Sequence, residues 1–414
     1  MNAPDTVTIG QRILAMADEL AQFSDQEGAL TVAYLTPAHR EVTALLARWM
    51  REAGMAVEID AVGNVVGRYA AAEAGARTLM TGSHFDTVRD GGKYDGRLGI
   101  LLPIALVAQL HARGERLPCH LEIVGFAEEE GLRYRSSFLA SSALVGQFDP
   151  ALLDKVDADG VPMRAAMQAA GLPGTAESIA RLKRDPATLA GFIEAHIEQG
   201  PVLLERGLPL GVVTSIAGSV RMTARVAGVA SHAGTTPMPM RKDAAAAAAE
   251  MLLAIERRCS QAPTLVGTVG MLNVPNGATN VIPGRCDFSI DIRAGDDATR
   301  DAAVADVLAE CEAIAGRRGV QLSFTRTMQV PCAPCAPALM DRLETCVTAA
   351  GVPAFRLPSG AGHDAMMIQR LTDVCMLFVR CGNGGISHNP LETMTVADAE
   401  LAARVFLDFA RGTR

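Results

Sequence analysis

The sequence predicts an α/β chain of two domains, the larger with a mixed, largely parallel sheet built from both ends of the chain, the smaller a βαββαβ unit inserted between them. Three observations predict this. Four short apolar runs, at 77–83, 121–127, 191–195 and 374–380, are bounded by turn residues and read as buried strands. The stretch 213–329 has a different texture, with strands and helices in the order of a ferredoxin-like unit. A length of 414 residues exceeds one ordinary core, so two domains are expected, 1–212 with 330–414 and 213–329.

In chain order, Thr36-Pro37 forms an N-cap and first helical residue, and Val42, Leu45, Leu46, Trp49 and Met50 recur at helical spacing before Gly54. The first buried strand follows at 77–83. The apolar run 99–110 should be a helix, but Pro103 lies inside it and is expected to kink or delay it. Strands 121–127 and 191–195 come next. The inserted unit reads as strand 221–229, helix 241–258, strand 264–274, strand 284–294, helix 298–315 and strand 320–328. Asp243 opens its first helix and Arg257-Arg258 closes it, as the helix dipole favours. Val304, Val307, Leu308, Cys311 and Ile314 make one apolar face of the second. Strand 374–380 completes the larger domain.

Composition narrows the function. With 49% hydrophobic and 20% charged residues the chain is globular, and a net charge of -8 offers phosphate no basic face, so a small molecule rather than nucleic acid is the expected partner. Nine irregularly placed cysteines, an odd number, are no disulfide framework and suit a reducing cytoplasm. No basic segment followed by an apolar core opens the chain at 1–10, and the longest apolar run is too short to span a bilayer, so no membrane association is expected.

Four clusters carry ligand chemistry. The first is His84-Phe-Asp86 followed by Gly91-Gly-Lys-Tyr-Asp95. Residues i and i+2 share a face in an extended segment, so Asp86 can orient the ring of His84 while Asp95 bridges two ions. The second is Glu128-Glu129-Glu130, whose adjacent carboxylates repel unless cations or protons neutralise them. The third is His196-Ile-Glu198-Gln199 and the fourth Ser387-His388-Asn389-Pro390. Taken singly, each also reads as a solvated loop or a structural histidine. All four, however, fall at the carboxyl ends of strands, where open α/β sheets bind ligands. Imidazole with carboxylate suits a pair of divalent cations, zinc or manganese, and leaves positions for water.

The segments SHFDTV, GGKYDG, AEEEG, HIEQG, SHAGTTPM and SHNP together resemble the hydantoinase/carbamoylase branch of the M20 metallopeptidase-like amidohydrolases. That group contains allantoate amidohydrolases, N-carbamoyl-L-amino acid hydrolases and β-ureidopropionases, and the resemblance runs over nearly the whole chain. It implies a zinc-peptidase-like catalytic domain, an inserted dimerisation and lid domain, a homodimer, and two divalent ions per subunit. By the resemblance, His84 and His388 hold one ion with Asp95 as the bridge, Glu130 and His196 are the remaining ligands, and Glu129 is the general acid and base. His232 of the SHAG segment crosses the dimer interface to stabilise the oxyanion. Gln199 contacts the ureido group, Asn280 and Arg293 bind the substrate carboxylate, and Ser359-Gly360 belong to a loop near the site, whose His363 has no catalytic role. The implied reaction is cleavage of a carbamoyl C–N bond with release of ammonia and carbon dioxide, allantoate standing ahead of N-carbamoyl-L-amino acids. His196, where the peptidases of the family carry a carboxylate, and the eleven-residue step from His84 to Asp95 disfavour an aminoacylase or dipeptidase. Glu129 disfavours a binding protein without catalysis. Cys332-Ala-Pro-Cys335 lacks a second cysteine pair and reads as linker packing.

Overall fold

Apolar runs too short for a helix become strands when both faces can be covered, and four such runs form the parallel centre of the main sheet. His120–Phe126, Thr78–His84, Leu189–Ile197 and Val374–Val379 lie side by side in that order, parallel throughout. Antiparallel strands extend both flanks: Val65–Tyr69 and then Ala56–Ile59 beyond His120–Phe126, and Leu210–Ile216 beyond Val374–Val379. The sheet is therefore mixed and largely parallel. This computed structural model describes residues 7–413, so residues 1–6 of the segment examined for a signal peptide lie outside the described residues.

The chain divides into two compact units. One comprises the residues up to Thr214, Cys335–Leu357 and those from His363 onward; the other is Ser215–Pro334 with Pro358–Gly362. In the first unit, Thr36 accepts the N–H of His39 and Pro37 opens the helix Pro37–Glu52, which buries Val42, Leu45, Leu46, Trp49 and Met50. The helix Leu98–Ala112 packs on the strands Thr78–His84 and Leu189–Ile197. It begins at Leu98 and continues without a break past Pro103, so the proline does not delay it. Gly99 admits this close approach: a Cβ there would stand 2.6 Å from the carbonyl oxygen of Ala195 and 2.7 Å from the Ser83 side chain. Among the described residues no helix is long and apolar enough to cross a membrane.

In the second unit, four antiparallel ladders place Gly218–Ala227 between Arg285–Ala294 and Gln321–Val330, with Leu265–Thr268 and Leu272–Asn273 on the outer side of Arg285–Ala294. The expected single strand 264–274 is thus broken in two. The helices Ala244–Cys259 and Asp297–Arg318 begin at Asp243 and Asp296, whose side chains accept the first free backbone N–H groups. Both helices share one core with the sheet, where Val220, Met222, Ala224 and Val226 alternate with outward residues. A two-stranded ribbon, Ser231–His232 against Val281–Ile282, was not foreseen. All nine cysteines are free, and the Cys332 thiol donates to the Gly295 carbonyl at 2.7 Å, within the return of this unit.

One position tests the packing of the parallel centre. A Cβ on Gly82 would lie 1.9 Å from the Val124 carbonyl oxygen, in the ladder between Thr78–His84 and His120–Phe126. Gly82→Ala should destabilise the protein by roughly 3 kcal/mol or more in chemical denaturation. Gly316→Ala, at a helical site where a Cβ meets nothing within 4 Å, should be neutral or stabilise by up to about 1 kcal/mol.

Candidate metal centre

The strand Thr78–His84 ends on a buried histidine whose Nδ1 lies 3.0 Å from the Asp86 carbonyl oxygen. Nδ1–H donates there, which leaves Nε2 with a free lone pair. The Asp86 carboxylate does something else. It stands 3.6 Å from the ring and accepts the backbone N–H of Glu129 at 3.1 Å and of Glu130 at 3.0 Å. The expectation that this carboxylate orients His84 is therefore corrected: the strand ends at His84, so the alternation of an extended segment does not reach Asp86, and its carbonyl takes the ring instead. Asp86 ties together the loops after two neighbouring strands. Burial pushes its carboxyl up to about 7, against the opposing pull of those two N–H groups.

Asp95 follows a glycine-rich turn and lies at the focus of the site. Its Oδ1 is 3.5 Å from His196 Nε2, and its Oδ2 is 3.1 Å from His388 Nε2. The next residue, Gly96, has φ +66°, and a Cβ on it would stand 2.5 Å from the His84 ring, so no other residue fits there. His196 repeats the arrangement of His84: Nδ1 meets the Ile197 carbonyl at 2.8 Å and Nε2 accepts the N–H of Gly96 at 3.1 Å. In both imidazoles a backbone carbonyl fixes the tautomer whose lone pair is on Nε2, as in ligand histidines.

The acidic triplet divides. Glu128 is buried, and burial followed by the charges of Asp86 and Glu130 pushes its carboxyl well up. Glu129 is also buried and pushed well up, by desolvation and then by Glu130, Asp364, Asp86 and Asp95. Glu130 turns toward His388, with 3.4 Å between Oε1 and Nε2. Gln199, at φ +56°, donates from Nε2 to Asp95 Oδ1 at 2.8 Å, while its buried Oε1 has no hydrogen-bond partner among the described residues.

Two donor groups result, each with ligand atoms within 4.8 Å of one another: His84, Asp95 and His196, and Asp95, Glu130 and His388. Asp95 is common to both and turns a different oxygen to each. The expected pairing of His84 with His388 is corrected, since His84 groups with His196. A third combination, His84 with Glu129 and Glu130, overlaps these. Imidazole nitrogens and carboxylate oxygens at this spacing fit divalent cations.

The structure also brings in residues that were not anticipated. Glu194, two residues before His196, is buried, accepts from the Ser83 hydroxyl and the Ala365 N–H, and forms a further donor group with His196 and His363. The ring of His363 packs edge-on against His196 at 4.4 Å. A charged residue inside the otherwise apolar GFIEAHI run was the available signal for Glu194.

The remaining expected residues belong to the second unit and form two sets. His232 is exposed; its Nδ1 accepts the N–H of Gly234 and of Thr235, so Nε2 carries the proton, and it pairs in the ribbon with Val281, next to Asn280, whose carbonyl receives the Ala233 N–H. Arg293 is gripped by Asp291, through Nε at 3.1 Å and Nη2 at 3.0 Å, and donates from Nη1 to the Gly360 carbonyl at 2.8 Å. Ser359 is buried and its hydroxyl is engaged with the backbone of Ala361.

Comparison with known proteins gives a consistent result. The profile of peptidase family M20/M25/M40 matches residues 80–412. Allantoate deiminase 2 of Glycine max is 38% identical over 94% of this chain and 87% of its own length. The N-carbamoyl-L-amino acid amidohydrolase of Geobacillus stearothermophilus is 37% identical over 96% of both chains. Among solved structures, a hydantoinase/carbamoylase family amidase from Burkholderia ambifaria matches with a TM-score of 0.90 at 34% identity, covering 99% of this chain and 100% of that one.

Protons and cations compete for this cluster. Without ions, burial and Asp95 push the Glu130 carboxyl up to about 8, and the hydrogen bond to Asp95 lifts His388 to about 9. Both groups must lose a proton to act as ligands, so loading with manganese at pH 7 should release at least one proton, and affinity should rise with pH through about 9. Calorimetry in buffers of different ionisation enthalpy measures this. The ion-free fold binds more protons than the unfolded chain above the ordinary values of 4.5 and 6.5 for these two groups. Its thermal midpoint should therefore fall as pH rises toward 9, while the increase produced by manganese grows. Proton uptake on loading would contradict the assignment of Glu130 and His388 as ligands.

Proposed function

As the chain belongs to peptidase family M20/M25/M40, we propose that it is a hydrolase with two divalent cations, zinc or manganese, that cleaves the carbamoyl C–N bond of a small ureido carboxylate, allantoate before N-carbamoyl-L-amino acids. The observation that carries this is Asp95, whose two carboxylate oxygens face two separate histidine-containing donor groups. Relatives at similar identity carry the names of both activities, which supports the bond cleaved more than the choice between substrates. Proposed ligands are His84, Asp95 and His196 for one cation and Asp95, Glu130 and His388 for the other.

Bound divalent cations supply electrophilic activation of the carbonyl and of a water. The chain's own residues supply the proton transfers and the orientation. Glu129 takes the proton of the attacking water and passes it to the leaving nitrogen; its crowding by Glu130, Asp364, Asp86 and Asp95 raises its proton affinity and suits it to both steps. Asp86 is a positioning residue, since it holds the backbone of Glu129 and Glu130. The unpartnered Gln199 Oε1 is an acceptor suited to a ureido N–H. His232 Nε2–H is a donor for the developing oxyanion, supplied across a homodimer interface. Arg293 has its Nε side closed by Asp291, and the rest of its fork, with Asn280 and Gly360, is assigned to the substrate carboxylate.

Glu129→Gln should lower kcat by about 100-fold or more with metal content unchanged. A rate within a few-fold of the wild type would remove Glu129 from the chemistry. The substrate is decided by ammonia release from allantoate, N-carbamoyl-L-amino acids, N-acyl amino acids and dipeptides, each with and without chelator. Activity confined to dipeptides, or untouched by chelation, would overturn the reading.

A further inference from the structure

Glu392 lies four residues beyond His388 and is only 2% exposed. Its Oε1 accepts the backbone N–H of Tyr94 at 2.8 Å and of Asp95 at 3.1 Å, and its Oε2 accepts the Ser387 hydroxyl at 2.8 Å. Gly92 makes room for it, since a Cβ there would stand 2.3 Å from the carboxylate. One buried side chain therefore grips both the turn that presents Asp95 and the turn that presents His388. Arg97 supplies a buried positive charge within electrostatic reach of Glu392, Asp95 and Asp86, and its Nη1 and Nη2 have no hydrogen-bond partner among the described residues.

The two donor groups differ in how they are braced. His84 and His196 are buried, and each is fixed by a nearby backbone carbonyl. His388 has a side chain 50% exposed and sits at φ +53°, a strained region for histidine that persists only where the surroundings impose it. Its turn is tied to Asp95 through Ser387 and Glu392.

We propose that Glu392 is a positioning residue that couples the two donor groups, holding the His388 turn in register with Asp95 so that the Asp95, Glu130 and His388 group is preformed. This rests on the two-cation reading above. Removing the carboxylate leaves the braced His84 and His196 in place but frees the His388 turn and strands two buried N–H groups. Its loss is therefore read chiefly at the second cation.

The test is titration of the ion-free protein with cobalt(II), followed by visible absorption and calorimetry, for wild type, Glu392→Ala, Glu392→Gln and Ser387→Ala. Wild type should take up two ions. Glu392→Ala should bind the first within about threefold of wild type and the second roughly tenfold or more weakly, with a changed absorption band for the second ion. Its kcat should recover at high metal concentration with KM unchanged, which a general loss of stability would not produce. Glu392→Gln keeps an acceptor oxygen and should fall between, and Ser387→Ala should shift the second ion in the same direction by less. If Glu392→Ala does not fold, as circular dichroism would show, Ser387→Ala decides. Two-ion binding at wild-type affinity in both variants, or in Ser387→Ala alone where Glu392→Ala does not fold, overturns the coupling while leaving the two-cation reading intact. Uptake of one ion by the wild type overturns that reading and the coupling with it.

Discussion

The site is governed by the repulsion among carboxylates gathered out of water at the ends of four parallel strands. Asp86, Asp95, Glu129 and Glu392 are buried there beside the largely buried Glu130. In a medium of low dielectric such charges cannot all persist, and they separate by environment. Burial drives Asp86, Glu392 and Glu130 up to about 7, 7 and 8. For Asp95 burial acts in the same sense, but the hydrogen bond with His388 and the proximity of the His196 and His84 imidazoles outweigh it and hold the carboxyl well below its usual range. The carboxylate that stays ionised is thus the one ringed by imidazoles. A cluster with these preferences is suited to cations.

Such crowding needs a rigid frame, and here the frame is largely backbone. Peptide carbonyls orient His84 and His196, and peptide N–H groups hold Asp86 and Glu392. Glu198 likewise accepts the N–H of Val202 and Leu203. These contacts fasten the strand ends and the loops that follow them. The geometry of the side chains is therefore inherited from the ladder of the sheet, where every residue of Thr78–His84 and His120–Phe126 is buried. Rotamer freedom that a solvated loop would retain is removed before a ligand binds.

Much of this was legible in the sequence because apolar runs ending in His, Asp or Glu carry both the strand and its chemical terminus. The four runs became the four parallel strands, and the clusters after them converged. What escaped was contact between groups distant in the chain. Glu392 touches the backbone of Asp95 across 297 positions, and no period or motif announces such a bond. Asp86 was misread because alternation was carried past the point where the strand stops. The break within 264–274 and the ribbon at His232 have a related cause: two-residue pairings carry too little pattern to be distinguished from loop. Pro103 misled in the other direction, since a helix packed on a sheet on one side tolerates a lost backbone bond that an isolated helix would not.

The choice of imidazole at His196 has a further electrostatic consequence. In the two-cation reading the five ligands contribute two negative charges, from Asp95 and Glu130, against four positive charges on the ions. A carboxylate in place of His196 would lower that excess and add another charge to a cluster already raising the proton affinity of Glu129. With both cations bound, three neutral imidazoles would leave the centre electropositive, which would favour an anionic substrate and make a nearby water more acidic. Glu129 would then face two opposing fields: neighbouring carboxylates that increase its affinity for a proton, and cations that would decrease it. A group balanced between them can accept a proton and release it within one turnover, and the histidine-rich ligand set is what permits the balance.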